Sequence, residues 1–333
     1  MSGFIQSFFS KVSNRIYSHL TLNSVEYGNF YPPIYNLAVP LDKNQPELYN
    51  KEGQAMKLFF LRDYHSSHDP YFFRSKYFLM DRYNFGLETH FYTHQTMLQQ
   101  MGKPSKKYGI LYETPQICPR DYNIFEKHKG LEKDFDAVFS YSSKILNSLP
   151  NAKFMPFQAR PWYGSQAWGG QVDPERYKKK TKGISFLSSA KVMCPLHRVR
   201  LDLANKCKAY KLAYTFGTFD GGKPAALADV LDDYRYTIIL ENDIDDYYFS
   251  ERLTNCFLSM TVPVYCGAKK ISDFFNQDGI ISLPLEKIDD IESVLSVCSA
   301  QDYQARIPAI LDNFNRVQKY VNLFDWMFTE YLQ

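Results

Sequence analysis

The sequence predicts an α/β protein of two halves, each built on a mostly parallel sheet. Short β-branched or aromatic runs alternate with stretches of helical apolar spacing along most of the chain, the order of βαβ units. Residues 158–182 interrupt that order with Pro161, Gly164, Gly169, Gly170, Pro174 and a lysine run, without an apolar period, as a domain linker does. The stretch Tyr236 to Gly267 then reads as strand, acidic loop, helix and strand, a complete βαβ unit. Such units bind ligands at the carboxyl ends of their strands.

In the first half, a Pro- and Asn-rich lead-in through residue 55 is followed by an expected strand at Lys57 to Leu61. Asp69-Pro70 is a helix start, and Tyr71 to Tyr83 has helical apolar spacing before Gly86. Strands are expected at Glu88 to Tyr92, Tyr108 to Tyr112, within Asp134 to Tyr141 and at Lys153 to Phe157, with a short helix from His94 to Met101. The second half opens with a strand at Gly183 to Leu187. Pro195 starts a helix carrying His197, Arg198, Arg200 and Lys206, and a strand at Lys211 to Tyr214 precedes the glycine loop TFGTFDGG. A helix over Lys223 to Tyr234 leads into the 236–267 unit. Ile280 to Leu283, a helix over Ile288 to Cys298 and a helical, aromatic-rich tail from Gln301 complete the order.

Composition narrows the function classes. A chain of 333 residues suffices for two α/β cores. A net charge of +3 with no basic block beyond Lys178-Lys179-Lys180 gives no reason to expect nucleic acid. The glycine loop matches neither a Walker loop nor G-x-G-x-x-G, which removes ATP hydrolysis and dinucleotide binding as leading readings. The 26 Tyr and 26 Phe are abundant; aromatic faces serve sugar clefts, but most must fill cores. The six cysteines include no C-x-x-C pair, and Cys256 and Cys266, within the expected βαβ elements, read as small buried hydrophobes, which points to a reducing compartment rather than a disulfide scaffold. No stretch reaches the roughly 18 apolar residues of a spanning helix. Phe4, Ile5, Phe8, Phe9, Val12, Ile16 and Tyr17 share one helical face, which either docks on the domain or rests on a membrane surface. His65, His68, His90 and His94 have spacings that can bind metal, yet no HExxH or acidic partner set accompanies them, and they stay unassigned acceptor-side residues.

Chemistry concentrates in the 236–267 unit. Thr237 to Leu240 is a buried strand, Glu241 and Asn242 stand at its end, and Ser250 caps the helix that begins Glu251-Arg252. A helix N-terminus attracts phosphate, and Arg252 adds a planar donor fork. Glu251 could accept hydrogen bonds from a ribose. The same pair also reads as an ordinary exposed first turn.

The spacing of Glu241, Asn242, Tyr248, Ser250, Glu251, Thr261, Val262, Pro263, Val264 and Gly267 resembles the signature of the family 10 α-1,3/4-fucosyltransferases. Arg252 stands where that family has lysine, and Tyr247 where it has aspartate. The resemblance implies two Rossmann-like domains facing a cleft, the GT-B architecture. It covers residues 183–285 most closely, is thinner over 108–141 and is absent from the first fifty or so.

The resemblance also implies roles. Glu113 closes an expected strand as Glu-Thr-Pro and by itself reads first as a strand-closing glutamate bonded to the next loop. Its match to the family's base makes it the catalytic carboxylate, because a sugar hydroxyl must lose its proton during transfer. Arg200 falls in register with a diphosphate contact, with Arg198 the near alternative; both could instead solvate an exposed face. The implied donor site is Arg200, Glu241, Asn242, Tyr248, Ser250, Glu251 and Arg252, with no bound metal and Mn²⁺ or Mg²⁺ at most a stimulant. The expectation is an inverting transferase moving L-fucose from GDP-fucose to an acceptor glycan, cytoplasmic, with an optional peripheral membrane contact through residues 4–17, working on a bacterial or viral surface glycan precursor. The domains are expected at 1–160 on the acceptor side, 161–182 as linker, 183–310 for the donor, and 311–333 as a helix crossing back. Arg252 and Tyr247 keep open another nucleotide-sugar donor, and a non-catalytic carbohydrate-binding protein is the rival from a different class.

Overall fold

The structure, a computed structural model, describes residues 56–63, 75–81 and 85–333. The expected N-terminal helix over residues 4–17, the lead-in, His65 and His68 lie outside them.

Six strands form the first sheet: β1 (Lys57–Arg62), β2 (Phe78–Asp81), β3 (Thr89–Thr93), β4 (Lys106–Leu111), β5 (Ala137–Ser140) and β6 (Ala152–Phe154). They run in the order β2-β1-β3-β4-β5-β6 and every pairing is parallel. Short helices α1 (Pro119–Tyr122), α2 (Ile124–Lys127) and α3 (Ser143–Ser148) connect its later strands. The second sheet holds β7 (Lys182–Leu187), β8 (Tyr214–Phe216), β9 (Tyr234–Leu240), β10 (Val262–Cys266) and β11 (Ile281–Ser282), in the order β11-β10-β9-β7-β8, again all parallel. Its helices are α4 (Pro195–Ala209), α5 (Leu227–Leu231), α6 (Glu251–Leu258), α7 (Ile291–Leu295), α8 (Ala300–Val321) and α9 (Leu323–Tyr331).

Both sheets are doubly wound with the same order, the first strand lying between the second and the third. Chain direction therefore reverses across the sheet between β1 and β3 and again between β7 and β9. Loops leaving two such strands part to opposite faces, and the crevice between them at the carboxyl ends is where ligands bind.

The hydrophobic pattern accounts for most elements, and the departures have physical reasons. The helix expected over Tyr71 to Tyr83 is contradicted by β2. Phe78, Leu79 and Met80 are all buried and pair with Lys57 to Phe59, and such a contiguous apolar run suits a strand buried on both faces. The strand expected at 211–214 begins instead at Tyr214, because Lys211 takes a left-handed φ of 55° as α4 ends. The helix expected over 223–234 shortens to α5, since Tyr234 already belongs to β9. The helix expected over 288–298 shortens to α7.

The C-terminal helix α9 lies on the first sheet. Phe328 stacks on Tyr77 at 4.7 Å, Tyr331 meets Phe139 at 5.4 Å, and Ser75 Oγ donates to Asp325 at 2.7 Å. All six cysteines are free, and Cys194, Cys207, Cys256 and Cys266 are buried. No helix among the described residues is long and apolar enough to cross a membrane.

Candidate active site

The end of β9 is held by a carboxylate that water does not reach. Glu241 is 1% exposed. Its Oε1 accepts from the Ser250 backbone N–H at 2.9 Å and its Oε2 from Ser250 Oγ at 2.6 Å. Ser250, in extended conformation, caps α6 by accepting from the Arg252 N–H at 3.3 Å. The helix N-terminus is thus fixed to the strand end by one serine and one glutamate. Gly267 makes room for this: a Cβ there would meet Tyr265 Oη at 2.3 Å and Glu241 Cγ at 2.6 Å. Burial pushes the Glu241 carboxyl up to about 7, against the pull of Arg252 and Ser250.

Helix α4 aims a second set of groups at the same point. His197 and Arg200, three residues apart, share the helical face toward β9. Arg200 donates to the Leu240 carbonyl at 3.0 Å and to Asn242 Oδ1 at 3.1 Å. The Met193 N–H donates to His197 Nδ1 at 3.1 Å, which assigns the ring proton to Nε2, 2.8 Å from Asn242 Oδ1. Burial and the charge of Arg200 hold His197 below its ordinary value, in keeping with a neutral ring. Arg198 is exposed and Arg200 buried, which separates the two arginines. Gly217, at φ 102°, lets the glycine loop press on the end of β7, where a Cβ would lie 2.1 Å from the Ser188 carbonyl oxygen.

Arg252 remains partly open to the cleft. Its side chain is 30% exposed, with Nη1 3.7 Å from both Glu241 and Glu251. Its charge and those of Glu241 and Glu251 all act on Arg200, so the two cations and two carboxylates form one cluster at the β7/β9 crevice.

Glu113 belongs to the first lobe. It follows Tyr112 at the carboxyl end of β4 and is partly buried. Its Oε1 accepts from the Thr114 N–H at 2.9 Å, its own N–H donates to His94 Nε2 at 3.4 Å, and its carbonyl accepts from Tyr122 Oη at 2.6 Å. Burial raises its pKa above the ordinary carboxylate range; the Thr114 N–H, His94 and Arg252 oppose the rise, and Glu251 adds to it. The Glu113 carboxyl is thus within electrostatic reach of Glu251 and Arg252 at the start of α6. Tyr248 sits behind the cleft, fully buried, with its ring 4.7 Å from that of Tyr141. Among the described residues no group of three or more His, Cys, Asp or Glu side chains converges as a metal site would.

Similarity to known proteins bears on the fold. No protein-family model and no curated sequence matches the chain. Anabaena HepE, solved in complex with UDP and glucose, overlays with a TM-score of 0.50 at 9% identity, over 83% of this chain and 99% of that one. The fold is GT-B. An α1,3-fucosyltransferase solved with GDP overlays at 0.49 and 13% identity, over 84% of this chain and 94% of that one. The same enzyme class solved with GDP-fucose gives 0.45 at 13%, over 81% and 90%. These last two overlays add nothing beyond the fold, which this chain shares with glycosyltransferases.

Within this GT-B frame, several site neighbours escape sequence reasoning. His197 had a usable signal in its i, i+3 spacing to Arg200. His94 was singled out only with the other histidines, and Asp121 and Tyr122 had just Pro119, a helix-start residue, to mark their helix. His90 belongs to the core: it is wholly buried, its Nδ1 lies 3.0 Å from Tyr92 Oη, and burial lowers its pKa to about 4.

Proposed function

We propose that the protein is an inverting glycosyltransferase that moves L-fucose from GDP-fucose to a hydroxyl of an acceptor glycan in α-1,3 linkage. The facing of Glu113 to the Arg252–Glu251 end of α6 carries this reading, because it sets a proton acceptor opposite an anion-binding helix terminus. The nucleotide diphosphate lies against the α6 N-terminus, with Arg252 donating to its oxygens and Arg200 adding a second positive charge. Glu251 accepts from the ribose hydroxyls, and Glu241 and Asn242 hold the frame on which these groups stand. The acceptor oxygen attacks the anomeric carbon, the bond from that carbon to the β-phosphate oxygen breaks, and the hydroxyl proton passes to Glu113. GDP leaves with the electron pair, and the cationic cluster offsets the charge that grows on it. The raised pKa of Glu113 makes it a stronger base than a solvated glutamate.

A second reading, the same scaffold with another nucleotide sugar, is favoured by Tyr247. Its hydroxyl accepts from Lys270 at 3.2 Å and its ring packs near Phe154 at 6.0 Å, so it supplies no carboxylate where the resembled family has one. A donor screen with GDP-fucose, GDP-mannose and UDP-glucose against a panel of acceptor saccharides tests both. Transfer from GDP-fucose, lowered about 10²- to 10⁴-fold by Glu113→Gln, is the expected result. Turnover with a UDP-sugar alone would sink the fucosyl assignment. Glycan binding without transfer from any donor would leave a carbohydrate-binding protein.

A further inference from the structure

We infer that His94 and Asp121 are positioning residues for the transfer step: the imidazole, oriented by the Asp121 carboxylate, holds the Glu113 peptide so that its carboxyl faces the donor lobe. This rests on the reading of Glu113 as the base. His94 occupies the switch point of the first sheet, directly after β3, as Glu241 and Ser188 do in the second after β9 and β7. Its backbone is left-handed at φ 51° although it is not glycine, an uncommon and costly conformation that persists only where its surroundings enforce it. The side chain is 0% exposed, its ring set edge-on to Tyr112 at 4.3 Å.

The polar contacts order themselves along one line. Glu113 N–H points to His94 Nε2, so that nitrogen must carry a lone pair and the ring proton must sit on Nδ1. Nδ1 lies 2.8 Å from Asp121 Oδ2, a charge contact outside hydrogen-bond geometry, and Asp121, itself buried, has its other oxygen taken by Gln95 Nε2 at 2.8 Å. A buried carboxylate beside Nδ1 selects that tautomer. Tyr122, next to Asp121 on α1, fixes the other side of the Glu113 residue through its carbonyl. Both polar groups of the Glu113 backbone are therefore held from His94 and α1, while of its carboxyl Oε1 accepts from the Thr114 N–H and Oε2 is left toward the donor lobe. Neither His94 nor Asp121 touches the cleft, which makes their role one of orientation.

Asp121→Asn tests this with no change of volume. An amide donating to Nδ1 would invert the tautomer and set an Nε2–H against the Glu113 N–H, two donors face to face. The expected result is a fall in kcat of about ten-fold or more with KM for the nucleotide sugar unchanged, and one histidine whose ring ¹⁵N pattern shows the proton moved from Nδ1 to Nε2. Tyr122→Phe, which removes the hydroxyl that holds the Glu113 carbonyl, should lower kcat in the same selective way, and His94→Gln, which removes the imidazole itself, decides the matter should Asp121→Asn fail to fold. A wild-type kcat in the variants while Glu113→Gln abolishes transfer would overturn the positioning role and leave the base intact. Full transfer by Glu113→Gln would overturn the base assignment and this inference with it. A rise in nucleotide-sugar KM at constant kcat would also refute positioning.

Discussion

Glu241 shows how one residue can serve the site without touching a ligand. Both its oxygens are engaged by Ser250, and the ionised form pays for its burial with a pKa near 7 in the folded state. A carboxyl raised in this way favours the folded state fully below its ordinary value near 4.3, and that contribution is lost as pH rises through about 7. The loss amounts to about 3 kcal/mol as an upper figure. His90, with its lowered pKa, works in the opposite direction between about 4 and 6.5, so wild-type stability alone would blur the effect. The difference between wild type and Glu241→Gln in urea unfolding should isolate it: the variant gains on the wild type between pH 5 and pH 8. No pH dependence in that difference would place the carboxylate in a better-solvated setting. Glu241, Asn242, Ser250, Glu251 and Arg252 were legible because twelve consecutive positions contain them all. The His94–Asp121–Tyr122 clamp was not, because it depends on a left-handed turn at a non-glycine residue, which local patterns do not announce.

Helix α6, on which the proposed anion site stands, also joins the two lobes. Its buried Asn255 accepts through Oδ1 from both the Trp162 and Tyr163 N–H groups at 2.8 Å, and Thr254 Oγ1 donates to the Ala159 carbonyl at 2.9 Å. Asn255→Ala would leave two backbone donors without their acceptor, a cost of about 2 kcal/mol or more, measurable as a lowered urea midpoint. A midpoint equal to wild type would mean that water replaces the amide. Gly267→Ala should be worse for the site than for the fold, since its Cβ pushes on Tyr265 and Glu241 together. Strand existence was readable here from the β-branched runs at β9 and β10. The sequence was ambiguous at β2, where the same aromatic spacing suits a helix until burial on both faces is known.

At the scale of the molecule, most aromatic pairs fill the two cores and a few bridge the lobes. Phe154 of the first lobe stacks on Phe274 of the second at 5.1 Å, Tyr141 packs on Tyr248, and α9 closes over the first sheet. A polar latch adds to this packing: Asp245 accepts from the Ser143 N–H and, at 2.7 Å, from its hydroxyl, at the start of α3. Asp245→Ala should speed hydrogen exchange in residues 143–148 and loosen the interlobe contact, whereas unchanged exchange there would assign the junction to the aromatic contacts alone. Two α/β halves could be read from alternation and from the glycine- and proline-rich break. The way they close on each other could not, because it rests on contacts between residues about a hundred positions apart.

On the proposed function, the α6 terminus binds the nucleotide and Glu113 takes the acceptor proton. Calorimetric titration of GDP into wild type, Arg252→Ala and Glu113→Gln tests it most directly. The wild type should bind, Arg252→Ala should bind about ten-fold more weakly or worse from the loss of a charge-assisted contact, and Glu113→Gln should keep wild-type affinity. GDP affinity unaltered by Arg252→Ala, or no GDP binding at all, would contradict it.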